Sequence, residues 1–226
     1  MLRLLPEAGV DAVGWSRGEP IPSADAYWLA VRDGAIGEVA ARLPREAVAL
    51  HASGALGPEA LGDRPERGVL HPLMTFPGPG VGVPALAGVG ARVAGTPGAV
   101  AVARRVAGAL GMRAFEVPGD TRRYHAAASL ASGHLGALFL RAADTLAGAG
   151  VPEAEARALL LPLALESLRR AAAGGPDALT GPAARDDRAT EDAHRAVLAD
   201  DDRPLYEGLA RAIREMRSRT RQGQPP

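Results

Sequence analysis

The pattern that most constrains this chain changes once, near residue 118. Before that point, short apolar runs alternate with glycine and proline, at 10–15, 26–31, 47–51, 68–73, 89–94 and 113–117. Each run is continuously apolar rather than alternating, which suits strands covered on both faces, typically in a parallel sheet. Helical patterns fall between some of them, at 33–43 and at 97–110. In the second, Thr96 is placed to cap, Pro97 takes the first helical position and Gly111 stops the helix. Beyond 118 the periodicity is helical to the end. The pattern predicts an α/β domain of doubly wound type over 1–118, an all-α domain over 119–220, and a frayed tail over 221–226.

In the helical half, Asp120 is placed to cap a long helix running to about residue 147. Its apolar residues lie nearly all round, so it should be buried, inside the domain or against a second subunit. A helix starting at Pro152, with Glu153 and Glu155 in its first turn, should kink at Pro162 and end near Gly174. Two more are expected at 190–199 and 204–219, the latter capped by Asp202.

Composition removes several chemistries. All 26 basic residues are arginine and cysteine is absent, so Schiff-base and thiolate mechanisms are excluded. The formal net charge is zero, which gives no steering toward nucleic acid or anionic lipid. The longest apolar stretch, 158–165, is far below the roughly 20 residues of a membrane span, and the opening apolar run is too short for a signal peptide. A cytoplasmic protein acting on a small molecule is the expectation.

Four motifs carry what chemistry there is, and they hold four of the five histidines: HASGAL at 51–56, LHPLMTF at 70–76, YHAAASLASGHL at 124–135 and ALTGPAARDD at 178–187. HASGAL ends a buried strand in small polar residues, so Ser53 and Gly54 either line the ligand-binding edge of an open sheet or simply make the turn. LHPLMTF brings His71 and Thr75 to the same edge. In the third motif, at 100° per residue, Ser129, Ser132 and Gly136 lie within about 40° of His125. That face either offers an imidazole and two hydroxyls to a substrate or lets another helix approach closely, while His134 points the other way. His125 is suited to general acid or base work near neutral pH. In the fourth motif Arg185 could grip a carboxylate, with Thr180 beside the turn and Asp187 orienting the arginine or a histidine; the same residues could form a helix entry with a surface ion pair. No HExxH or acidic cluster suggests a metal. The glycine-rich 78–90 lacks dinucleotide spacing and reads as a flexible crossover.

In this order and spacing the four motifs resemble a bacterial family that joins a Rossmann-like N-terminal domain to a helical domain of unknown function. That family is similar to ketopantoate reductases and other members of the 6-phosphogluconate dehydrogenase C-terminal-like superfamily, and the resemblance runs from about residue 9 to 210. It implies that 14–18 matches the second Rossmann strand and its loop, with Ser16 and Arg17 at the 2′-phosphate of NADP. It implies that 29–36 matches the fourth strand and its loop, with Val31 at the cofactor and Arg32 where proline is usual. Ser53 and Gly54 would lie along the cofactor, and His71, Thr180, Arg185 and Asp187 along the substrate. His125 takes the position of a catalytic lysine in relatives and Ser129 that of an asparagine. Gly133 stands where the family usually has Asn, and Asp186 where it usually has Gly.

In the family, a first strand, a GxGxxG loop and its helix precede the segment matched by 4–9, and this sequence begins there. The resemblance therefore implies a truncated Rossmann-like parallel sheet followed by an all-α helical domain, with weakened dinucleotide affinity. Three functions follow as expectations: an NADP-dependent reductase of a small 2-oxo acid, ketopantoate-like; a redox-neutral acid/base enzyme using the same cleft; or a dimeric binding or scaffold protein. A homodimer through the helical domain is expected in each.

Overall fold

The computed structural model describes residues 5, 9–77, 81–82 and 84–222. Residues 78–80 and 83 of the glycine-rich connection, most of the segment 4–9 and positions 223–226 of the expected tail lie outside the described residues. The chain divides into two compact units, Met1–Ser132 and Gly133–Pro226.

The first unit is built on a five-stranded sheet whose strands lie in chain order: β1 (Ala26–Leu29), β2 (Val48–His51), β3 (Arg67–Pro72), β4 (Gly90–Gly95) and β5 (Arg113–Phe115). β1, β2 and β3 run parallel, as do β4 and β5. The β3–β4 pair is antiparallel, a departure from the all-parallel expectation. Among the described residues no helix spans the connection from β3 to β4, so nothing carries the chain back over the sheet. The apolar runs fill both faces. On one, Leu50, Leu70, Ala91 and Val93 pack with Ala99, Ala103 and Ala107 of α2 (Pro97–Ala109). On the other, Tyr27, Leu29 and Ala49 pack with Ile36 and Ala40 of α1 (Ile36–Ala40).

The strand expected at 10–15 is not one. Gly9 turns the chain at φ +74°, and the Trp15 indole N–H donates to the Glu19 carbonyl at 2.9 Å, closing the far end. Val10 and Ala12 pack against the first core cluster. Continuous apolarity there marks burial, not pairing.

The helix expected at 33–43 forms as a 3-10 turn, Asp33–Ala35, followed by α1. Carbonyls at its end and beyond it are met by the buried Arg64, which donates to Ala40 at 3.1 Å and to Ala47 at 3.1 Å. Thr96 does not cap α2 with its side chain. Glu66 does so from the adjacent strand end: its carboxylate accepts from the Ala99 N–H at 2.8 Å and from the Thr96 hydroxyl. Gly111, at φ +72°, follows the end of that helix.

α3 (Thr121–Ser129) opens on Asp120, whose carboxylate accepts from the Arg122 N–H. A π turn at Leu130–His134 comes next. The second unit holds α4 (Leu135–Gly148), α5 (Glu153–Gly174), α6 (Pro182–Arg185), α7 (Arg188–Val197) and α8 (Arg203–Arg221). Arg221, expected in the tail, thus belongs to the last helix. Asp202 does not cap α8 with its side chain; it accepts from Arg141 Nε at 2.5 Å. Arg214 holds the buried Glu191 at 2.6 Å.

Burial of the long helix within the chain is not observed. Ala143 is the one buried residue of α4, and Leu140 is 50% exposed. On α5, leucines 159, 161, 163, 165 and 168 are exposed. Among the described residues no helix is long and apolar enough to cross a membrane.

Candidate active site

The site is assembled where β2 and β3 end. His51, the last residue of β2, is fully buried. Its Nε2 lies 2.9 Å from the Gly57 carbonyl, and its Nδ1 accepts the Ser53 N–H at 3.1 Å. Both bonds are satisfied by a neutral ring protonated on Nε2, and burial lowers its pKa in that sense. The Ser53 hydroxyl accepts from the N–H groups of Ala55 at 3.2 Å and Leu56 at 3.1 Å. Ser53 therefore makes the turn with its side chain and leaves Gly54 as the surface presented at the strand edge.

Two histidines converge on that glycine. A Cβ placed on Gly54 would stand 2.8 Å from Nε2 of His71 and 2.9 Å from Cδ2 of His125. Such contacts are too close for any side chain, so glycine here is what lets the imidazoles of β3 and α3 meet. His71 is half-buried and His125 exposed. Burial, then Arg92, then His125 push the His71 pKa down to about 4. His71 is therefore neutral near pH 7 and can serve as a fixed hydrogen-bonding group. Its Nδ1 lies 2.7 Å from the Tyr124 hydroxyl.

Tyr124 and Arg92 are absent from the residues that sequence reasoning selects. The Arg92 guanidinium lies over the Tyr124 ring, 5.7 Å from its centroid, and donates to the Leu56 carbonyl at 3.1 Å. Arg92 is only 2% exposed. The available signal was one charge inside the apolar run 89–94, because a buried cation requires partners.

Beside His71 lies a cleft of about 370 Å³ lined by Ala30, Ala52, His71, Met74 and Phe76 among others, within the usual size of small-molecule sites. A second depression, of about 600 Å³, is lined by Arg17, Ala30, Val31, Arg32 and Gly34. The two adjoin at Ala30, immediately after β1, and together follow the carboxyl ends of the parallel strands. Arg17 and Val31 are thus brought together with Arg32. Ser16 lies in the adjoining turn, where its N–H donates to the Glu19 carboxylate at 2.7 Å. Thr75 is exposed beyond the end of β3.

On α3, half-buried Ser129 follows His125 by one helical turn. The Ser132 hydroxyl donates to the Ala128 carbonyl at 2.7 Å, inside the π turn, where even 100° spacing no longer holds. The expected face of one imidazole and two hydroxyls therefore reduces to His125 and Ser129.

Thr180, Arg185 and Asp187 lie in the second unit. Thr180 and Arg185 are exposed. Asp187 caps α7, accepting from the Thr190 N–H at 3.1 Å and from its hydroxyl at 2.7 Å, and these bonds lower its pKa. Asp186 sits at φ +58°, the left-handed conformation that suits the glycine usual at this position in the similar family. Among the described residues no group of three or more His, Asp or Glu side chains could hold a metal ion.

The sequence pattern of one family, a domain of unknown function (DUF2520), matches residues 90–213. No curated protein matches the chain. Among solved structures, BF3122 of Bacteroides fragilis, provisionally described as an NADP oxidoreductase, is 26% identical with a TM-score of 0.73, over 87% of this chain and 78% of that one. Protein TM1727 of Thermotoga maritima is 22% identical with a TM-score of 0.71, over 90% and 82%. An NADH-preferring ketol-acid reductoisomerase from an uncultured archean is 14% identical with a TM-score of 0.54, over 98% and 82%. The last two show the shared fold alone: a Rossmann-like α/β sheet with a helical C-terminal region.

Proposed function

Since this chain belongs to the DUF2520 family, we propose that it is a nicotinamide-dependent oxidoreductase of small 2-oxo acids, working where Gly54, His71 and His125 meet. The observation that carries this reading is the convergence of two imidazoles on a glycine at the carboxyl edge of a parallel sheet, the edge where open α/β folds bind ligands. The provisional description of the Bacteroides fragilis protein supports it.

The residues present fit a dinucleotide at its two ends. The depression with Arg17 and Arg32 offers two guanidinium groups to a phosphate, with Val31 and the Ser16 turn alongside. The adjoining cleft offers Ala30, Ala52, Met74 and Phe76 to an apolar ring, with Gly54 at the edge of the sheet nearby. When bound, the nicotinamide supplies hydride. His125 supplies the proton to the substrate's carbonyl oxygen, Ser129 and His71 hydrogen-bond the same oxygen, and the apolar lining limits water.

A second reading, cofactor-free acid/base chemistry in the same cleft, is favoured by one observation: the groups that converge on Gly54 are two imidazoles, which can move a proton without a bound cofactor. Titrating the full chain with NADPH and NADH, then assaying a panel of small 2-oxo acids, separates the two. The first reading expects saturable cofactor binding and cofactor oxidation that His125→Ala slows by about 10²- to 10⁴-fold. No binding at millimolar cofactor, together with His125-dependent turnover in its absence, would replace it with the second.

A further inference from the structure

Strand register places three residues of different chemistry in a row. His71 of β3 lies opposite Arg92 of β4, and Arg92 lies opposite Phe115 of β5. Residues directly paired across strands share a face of the sheet, so the three side chains stand together. Tyr124 of α3 touches all three. Its hydroxyl is 2.7 Å from His71 Nδ1 and its ring meets the His71 ring edge-on at 87°, with centroids 5.7 Å apart. The Arg92 guanidinium lies 5.7 Å from its centroid, and the Phe115 ring packs at 6.0 Å. A phenol held by three residues in this way has little freedom to turn away from the imidazole.

We propose that Tyr124 is a positioning residue that fixes the tautomer of His71: its hydroxyl donates to Nδ1, so the ring proton sits on Nε2, beside Gly54, as a standing hydrogen-bond donor for an oxygen in the cleft. The direction of the bond follows from the partners. Among the described residues, Nδ1 of His71 is the sole hydrogen-bond partner of the Tyr124 hydroxyl. Were the ring to donate instead, the phenolic proton would be left without an acceptor in a half-buried site. Arg92 reinforces the choice. A cation against the ring row disfavours an imidazolium at His71, leaving a neutral ring with one donor and one acceptor. Burial raises the Tyr124 pKa, so the phenol keeps the proton that it donates. Nε2 is the ring atom nearest a Gly54 side-chain position, at 2.8 Å, so the donor faces the same point that His125 approaches.

This assignment rests on the oxidoreductase reading only for the oxygen that receives the bond, which is the 2-oxo carbonyl. The tautomer itself does not depend on it. Ring-nitrogen NMR of histidine-labelled full-length protein, with the His71 signals identified by their loss in His71→Gln, reads the tautomer directly. The expected spectrum shows the Nε2-protonated form of His71 throughout about pH 5.5 to 8. Tyr124→Phe, which keeps the ring against Arg92 and Phe115, should shift His71 to a mixture of tautomers. In turnover the same variant should lower kcat by up to about 10²-fold, as for weakening one preorganised donor, with KM nearly unchanged. An Nδ1-protonated His71 in the native protein, or His71 signals unmoved by Tyr124→Phe, overturns the proposal. A variant that shifts the tautomer and leaves kcat intact overturns the donor's catalytic use. Absence of cofactor binding with the tautomer shift intact would reject the oxidoreductase reading and leave the positioning role standing.

Discussion

Among the described residues, two histidine–tyrosine pairs have nearly the same internal geometry. His71 Nδ1 is 2.7 Å from the Tyr124 hydroxyl with rings at 87°, and His194 Nδ1 is 2.8 Å from the Tyr206 hydroxyl with rings at 83°. Their surroundings differ. His71 is half-buried, faces a glycine with no room for a side chain, borders a cleft, and has the buried cation Arg92 beside its tyrosine. His194 is exposed on α7. A hydrogen bond between an imidazole and a phenol is therefore not a functional signature in itself. What makes one is a second ring nitrogen held at a strand edge that borders a cleft, in a setting that fixes its protonation.

The strongest way to break the comparison is to fill the space in front of His71. Gly54→Ala introduces an atom 2.8 Å from His71 Nε2 and 2.9 Å from His125 Cδ2. Both imidazoles must retreat, and a displacement of about 1 Å is enough to lower turnover by about 10²-fold. The overpacking should also lower stability by about 1–3 kcal/mol. Gly208→Ala on α8, with nothing within 4 Å, is the control. It should leave turnover alone and stabilise its helix by about 0.5–1 kcal/mol. Steady-state rates and urea unfolding of both variants provide the check, and a Gly54→Ala protein with native turnover would remove the convergence on which the site rests.

A smaller effect separates buried from exposed histidine by pH. His71 is lowered from 6.5 to about 4, and His51 is lowered as well, both by burial first. The unfolded chain therefore binds protons that the folded chain refuses between about pH 6.5 and 4. Stability is unaffected by these groups above that window and falls as the pH descends through it. Both tryptophans, Trp15 and Trp28, belong to the first unit, so their fluorescence during urea unfolding reports on that unit alone. The midpoint should fall between about pH 7 and 5, and His71→Gln should flatten the fall while His194→Gln should not. Equal pH dependence in native and His71→Gln proteins would show that His71 is not held neutral.

The residues of this contrast differ in how far they can be read from the sequence. His71 and His125 are visible because a histidine at the end of an apolar run or in a small-residue helix is conspicuous, and Gly54 because a turn must follow the strand. Five of the six expected strands are present because their apolar runs contribute to one or both of the core clusters that pack against α1 and α2. The run at 10–15 fails because packing by Val10 and Ala12 satisfies the same apolar pattern without a ladder. Caps go astray for a similar reason: Thr96 is the right residue in the right place, yet Glu66, thirty-three positions before Ala99, reaches the helix N–H first. Tyr124 and Arg92 acquire their roles from the register of β3, β4 and β5, which pairs His71 with Arg92 across the antiparallel step that local pattern does not reveal. Long-range register is the piece of information missing at that point.

The smallest effect is expected from the exposed pair. Tyr206→Phe removes a hydrogen bond to an exposed imidazole whose ring nitrogen water can serve instead, so the net loss should be about 0.5 kcal/mol or less. For a chain of this size that corresponds to a shift in Tm of under about 2 °C. The ring contact survives, since phenylalanine keeps the edge-on face toward His194. Turnover should change by less than about twofold, against the loss of up to about 10² expected for Tyr124→Phe. Thermal melts and steady-state rates of the two variants side by side test the comparison at its weakest point. If Tyr206→Phe impairs turnover as much as Tyr124→Phe, burial and register are not what distinguish the pairs, and the bond common to both must carry the function.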